Sequence, residues 1–150
     1  MANPRLAIIG DMHLNDDASF ALLDHVLARI EDDGHDRLVI MGDMTNNGEP
    51  ELVERIADRL DKHPAPVTIV PGNHDLGNIG EYDRLTRFFG DFVGPGPLAR
   101  SFDLDEYRCI VLDTNNTIRD PDEWHGFVEA EGMRAFEIEL GNAGKDRPIL

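Results

Sequence analysis

A chain of 150 residues with 41% hydrophobic residues can bury one core without disulfides, and the single Cys109 cannot form an internal bridge. Thirty acids against fourteen bases give a formal charge of −16, with Lys62 and Lys145 the only lysines, so the field repels nucleic acid and no Lys/Arg cluster offsets it. No apolar run approaches the ~20 residues of a membrane span, and the start "MANPRLAIIG" lacks the apolar stretch of a signal peptide, which predicts one cytoplasmic domain over 1–150 away from membranes. The acid excess serves solubility, or adaptation to high salt.

The elements alternate along the chain. "LAII" (6–9) is a short continuous apolar run, the pattern of a strand buried on both faces. Phe20, Leu23, Leu27 and Ile30 follow at helical spacing. "LVIM" (38–41) predicts the second strand, and Leu52, Ile56 and Leu60 the second helix, with Pro50 in its first turn. "VTIV" (67–70) predicts the third strand, and "YDRLTRFF" (82–89) a short helix. "SFDLDEYRCIVLD" predicts a hairpin turning at Asp105–Glu106, with "CIVL" (109–112) in its second strand and an antiparallel pair added to the sheet. Met133, Phe136 and Leu140 mark a last helix stopped by Gly141, and "PIL" begins one more strand. The β-α-β-α-β order predicts an α/β fold: a mostly parallel sheet with flanking helices and right-handed crossovers.

Polar clusters follow the first three strands: "GDMH", "GDMTNNG" and "PGNHD". His13, Asp43 and Asn73 are spaced thirty residues apart, about one strand-loop-helix-loop step each. All three clusters therefore fall at carboxyl ends of parallel strands, the edge where open α/β sheets bind ligands. Gly10, Gly42 and Gly72 precede them and let the backbone turn close to a ligand. Singly, Asp-x-His and Gly-Asp are also common caps and turns, whereas Gly-Asn-His-Asp has no good turn rationale. Together Asp11, His13, Asp43, Asn73, His74 and Asp75 offer carboxylate, imidazole and amide groups that suit Mn, Fe or Zn better than Ca.

These residues carry a resemblance to the calcineurin-like metallophosphoesterase superfamily, whose signature is D-x-H, then G-D, then G-N-H-[DE], each after a strand. Asp11 and His13, Gly42 and Asp43, and Asn73-His74-Asp75 match it. "GDMTNNGEPE", "VPGNHD", "CIVLDTN" and "GFVEAEGMRAFEIEL…RPIL" further resemble the branch that contains cyclic-nucleotide phosphodiesterases. The resemblance implies the N-terminal part of an αββα sandwich and a hydrolase that uses two divalent ions to activate water. Asp11, His13 and Asp43 would hold the first ion, and Asp43 would bridge to a second held by Asn73. His74 would protonate or stabilise the leaving alkoxide. Asp75 would orient His74, or be a plain loop carboxylate. The substrate would be a small phosphoester such as a nucleotide.

The chain also departs from that pattern. The family places further histidines downstream, one after the strand that "RPIL" begins and then a G-H-x-H motif, and the sequence ends at Leu150. The remaining His25, His35, His63 and His125 read as solvated surface residues. The second ion is then left with two protein ligands, which makes its occupancy doubtful. One apolar sheet face also lacks its cover, which a missing C-terminal segment or a homo-oligomer would supply. Three readings follow: a fragment of a longer enzyme, a module completed by a partner chain, or a reduced relative with weak metal binding and little catalysis. A phosphoacceptor receiver domain shares the α/β order, but it needs an acidic pair after the first strand and a Lys after the last. Here Asp11 is paired with His13, and no Lys follows a late strand.

Overall fold

A computed structural model of the chain describes residues 4–76, 99–112, 114, 128, 130–144 and 148–150. β1 (Leu6–Ile9), β2 (Arg37–Met41) and β3 (Val67–Val70) form a parallel sheet in the order β1-β2-β3. Ile8 pairs with Val39, and Ile40 with Ile69. α1 (Asp17–Asp33) and α2 (Pro50–Leu60) are the crossovers, and consecutive right-handed crossovers place both on one face. Ala7, Ile9, Leu38, Ile40, Val67 and Ile69 point to that face, and Phe20, Leu23, Leu27, Val53, Ile56 and Leu60 meet them in one core.

The helix ends have local causes. Asp16 caps α1 by accepting from Ser19 N at 2.8 Å, and Asp16 N donates in return to Ser19 Oγ at 3.1 Å. Pro50 opens α2, where its missing N–H costs nothing. Arg59 ties the two helices through a two-pronged contact with Asp24, at 2.6 and 3.1 Å, and its guanidinium lies 4.8 Å from the Phe20 ring centroid.

Several expectations are corrected. The hairpin forms as β4 (Arg100–Leu104) and β5 (Tyr107–Val111), but as a separate two-stranded sheet rather than an addition to the first. It meets the parallel sheet through Arg37, which donates to Thr68 Oγ1 at 2.9 Å and stacks 4.3 Å from the Phe102 centroid. Arg100 also donates to the Ile69 carbonyl. The face of β1 and β2 away from the helices is only partly covered: Val39 is buried, while Ile8 is 59% and Met41 54% exposed. Among the described strands, only β3 is buried at every position.

α4 (Ala130–Ala143) runs through Gly141 and stops before Gly144, whose φ of +78° is the left-handed geometry that ends helices. Pro148–Leu150 lie parallel to β5, with Leu150 N donating to Arg108 O at 3.0 Å. His35 and His63 are not solvated; they face each other, part-buried, whereas His25 is exposed. The predicted 82–89 helix and His125 lie outside the described residues. No described helix is long and apolar enough to cross a membrane.

Candidate metal centre

The loops after β1 and β2 stay zipped beyond the strands. Asp11 N donates to Gly42 O at 3.0 Å, Met12 N and His13 N both donate to Asp43 O at 2.9 Å, and Leu14 N donates to Met44 O at 2.8 Å. Leu14, Met44 and Thr45 are buried beneath these loops and extend the core to the site. The third loop closes onto the second where no side chain fits. A Cβ on Gly42 would overlap the Gly72 backbone, and one on Gly72 would overlap Asp43.

Four non-glycine residues among those described have positive φ, and three are predicted ligands: Asp11 (56°), His13 (46°) and Asp43 (50°). Left-handed geometry costs a non-glycine residue about 1–2 kcal/mol, least for Asp and Asn. The cost is concentrated where side chains must converge.

His13, Asp43 and His74 each offer a ligand atom, and these atoms all lie within 4.8 Å of one another. Asp11 Oδ1 is 3.0 Å from His13 Nε2. Asn73 opens α3 (Asn73–Leu76), a single helical turn, and is exposed. Asp43 Oδ1 accepts from His74 N at 3.1 Å, so the second loop's carboxylate also caps that turn.

Asn46 escaped the sequence reading. Its Oδ1 lies 3.0 Å from His13 Nδ1, and its backbone O lies 2.7 Å from His74 Nδ1. One residue of the "GDMTNNG" loop thus orients two rings whose centroids are 4.7 Å apart and whose planes stand at 83°. The run of amides after Asp43 was the available signal.

Asp75 is 4% exposed, and both its oxygens are engaged: Met44 N donates to Oδ1 at 2.7 Å and Gly72 N to Oδ2 at 2.8 Å. Burial raises its pKa above the usual carboxylate value, the Asp43 charge adds to the rise, and the backbone N–H donors oppose it. This carboxylate ties the second loop to the third.

The donor set fits a divalent ion on one further ground. Both ring nitrogens of His13 face oxygen acceptors at 3.0 Å, but a neutral imidazole has a single N–H. With the proton on Nδ1 toward Asn46, Nε2 and Asp11 Oδ1 present lone pairs to each other, an arrangement a cation relieves. Imidazole with carboxylate is a donor set for a divalent transition metal.

Residues 4–142 match the family described as calcineurin-like phosphoesterase. A probable cyclic nucleotide phosphodiesterase of Synechococcus is 29% identical over 119 residues, which cover 73% of this chain and 43% of that protein. The chain therefore spans less than half the length of this curated relative. Among solved structures, an Aquifex aeolicus protein of unknown function aligns at a TM-score of 0.45 and 17% identity, over 93% of this chain and 74% of that one. A Pseudomonas putida nuclease aligns at 0.40 and 22% identity, over 70% and 52%. With three strand-end clusters meeting at one edge and a family match over nearly the whole sequence, the chain belongs to the calcineurin-like phosphoesterases.

Proposed function

We propose that this chain carries the metal-binding half of a phosphoester hydrolase site, acting on a small phosphodiester or phosphomonoester. Asp11, His13 and Asp43 would hold one divalent ion, and Asp43 with Asn73 would offer a second, weaker position. A bound ion would supply Lewis acidity to a phosphoryl oxygen and lower the pKa of water. The observation that carries the reading is the meeting of His13, Asp43 and His74 at the carboxyl edge of the sheet.

The residues divide the work. Asp43 is held by the zipped loops, with Gly42 and Gly72 leaving room for it. His74 keeps a proton on Nδ1, because the Asn46 carbonyl can only accept. Nε2 is then the nitrogen that exchanges a proton with the leaving alkoxide. Asp75 keeps the third loop against the second. The likeness to the Synechococcus probable cyclic nucleotide phosphodiesterase supports a cyclic nucleotide as one substrate class.

Hydrolysis of a nitrophenyl phosphodiester with added Mn(II) tests this in wild type and Asp43→Asn. We expect turnover to fall at least ~100-fold in the variant; equal rates remove the assignment. A second reading, a single-ion module without catalysis, is favoured by the compact His13–Asp43–His74 group, in which His74 is a ligand rather than an acid. Calorimetry separates them. One weak site, lost in His74→Ala and without turnover, selects the second reading.

A further inference from the structure

β1 lies at one end of the parallel sheet and pairs there with β2 alone. Arg5 O accepts from Asp36 N, and Asp11 N donates to Gly42 O, so both residues turn their backbone groups toward β2 and its flanking chain. Backbone groups alternate sides along a strand. Ala7 and Ile9 therefore face β2 as well, whereas Leu6, Ile8 and Gly10 point their N–H and C=O outward. No strand among the described residues meets them. Soluble proteins commonly guard such an edge with Lys, Pro, a bulge or an inward charge. "LAII" carries no guarding residue.

Apolar side chains flank this edge on both faces of the sheet. Asp17 and Asp24 of α1 pair with Arg55 and Arg59 of α2, and Glu31 lies against His63 just past α2, which fixes the side of α1 that faces α2. Leu22 and Val26 stand two residues either side of Asp24, nearly half a turn round the helix. They lie away from α2, over the free edge of β1, and Leu22 is 63% exposed. On the other face Ile8 is 59% exposed. A strand that carries the same apolar pair would bury all of them.

We infer that two copies of this chain join through their β1 edges, antiparallel, about a two-fold axis at Ile8. In that register Ile8 faces Ile8 and Leu6 faces Gly10, so the outward backbone groups of each copy meet those of the other. A register centred on Ala7 would instead set Gly10 against Pro4, which has no N–H to give. The charges also fit a second copy. Arg5 of one stands opposite Asp11 of the other, where the Asp11 side chain is 83% exposed. A crossover helix lies over the gap between its strands, so the two α1 helices would stand about 10 Å apart, the spacing of packed helices. Leu22 and Val26 would fill that gap from both sides. The two sheets become one, with a metal centre at each of its opposite edges. Each copy carries −16, so the pair tightens as salt screens their long-range repulsion.

The test is sedimentation equilibrium of the whole chain at about 0.1 and about 1 M NaCl, with amide hydrogen exchange at the same protein concentrations. We expect the apparent mass to double as concentration rises, sooner at the higher salt. Exchange at Leu6, Ile8 and Gly10 should slow in step. Ile8→Pro removes an outward N–H that the parallel sheet does not use, and should give a folded monomer. Met41→Lys changes the same open face away from the edge and should still dimerise. A monomer at every concentration, or a dimer whose edge amides exchange freely, overturns the proposal. So does a dimer lost in Met41→Lys and kept in Ile8→Pro, which would place the contact on the sheet face. A monomer with those amides protected overturns it too, because the chain's own residues would then cover the edge. Should Ile8→Pro fail to fold, the wild-type exchange decides by itself.

Discussion

Asn46 serves two histidines with two different oxygens, and only one of them can be removed by substitution. Asn46→Ala deletes the Oδ1 partner of His13 Nδ1 and keeps the backbone carbonyl on His74. Groups that orient a metal-binding histidine typically change affinity ten- to a hundredfold. We expect Mn(II) affinity, measured by calorimetry, to fall about 10–100-fold, at a stability cost of about 1 kcal/mol. Unchanged affinity would mean that the zipped loop alone orients His13. Asp11 offers the opposite trade, since its side chain is 83% exposed and its φ is 56°. Asp11→Gly should weaken metal binding while changing stability by no more than about 1 kcal/mol, toward gain, because relief of the left-handed backbone offsets the added chain freedom. A clear loss in urea unfolding would show that Asp11 holds the loop and not only an ion.

Among elements, what the sequence made legible was what local chemistry decides. Continuous apolar runs marked β1 and β3 residue for residue, although of the two only β3 is buried on both faces. Thirty-residue spacing placed the clusters on one edge, because each βαβ step returns the chain there. Sheet membership of β4 and β5 was not legible: a hairpin pattern fixes pairing within the hairpin and says nothing of its neighbour. Nor was the His35–His63 pair, whose partners are 28 residues apart and meet only through the fold. Gly141 stays inside α4 because one interior glycine costs a helix only about 1 kcal/mol, whereas Gly144 carries the left-handed φ that ends it. The closure of the third loop on the second was hidden as well, and it yields a prediction. Gly72→Ala drives a methyl into Asp43, and such overpacking costs about 1–3 kcal/mol. Thermal unfolding should fall accordingly, with metal affinity falling too because Asp43 must move. A variant as stable as wild type would mean that the two loops are free to separate.

For the molecule as a whole, the charge of −16 acts against compactness everywhere, while an ion at Asp43 acts at one place. The two effects separate by their ion dependence. Raising NaCl from about 0.1 to 1 M shortens the screening length from about 10 to about 3 Å, which relieves repulsion among exposed acids without regard to position. Unfolding temperature should therefore rise with NaCl in wild type and Asp43→Asn alike. Specific binding to the folded state adds about 2.7 kcal/mol when free ion exceeds Kd a hundredfold, or about 5–10 °C for a chain of this size. At fixed high NaCl, Mn(II) should give that increment in wild type and little of it in Asp43→Asn. The background salt matters because it has already screened the diffuse acid field, so the remaining gain reports coordination. An equal gain in both proteins would place the ions on the acidic surface at large, and the convergence of His13, Asp43 and His74 would then be a feature of loop packing alone.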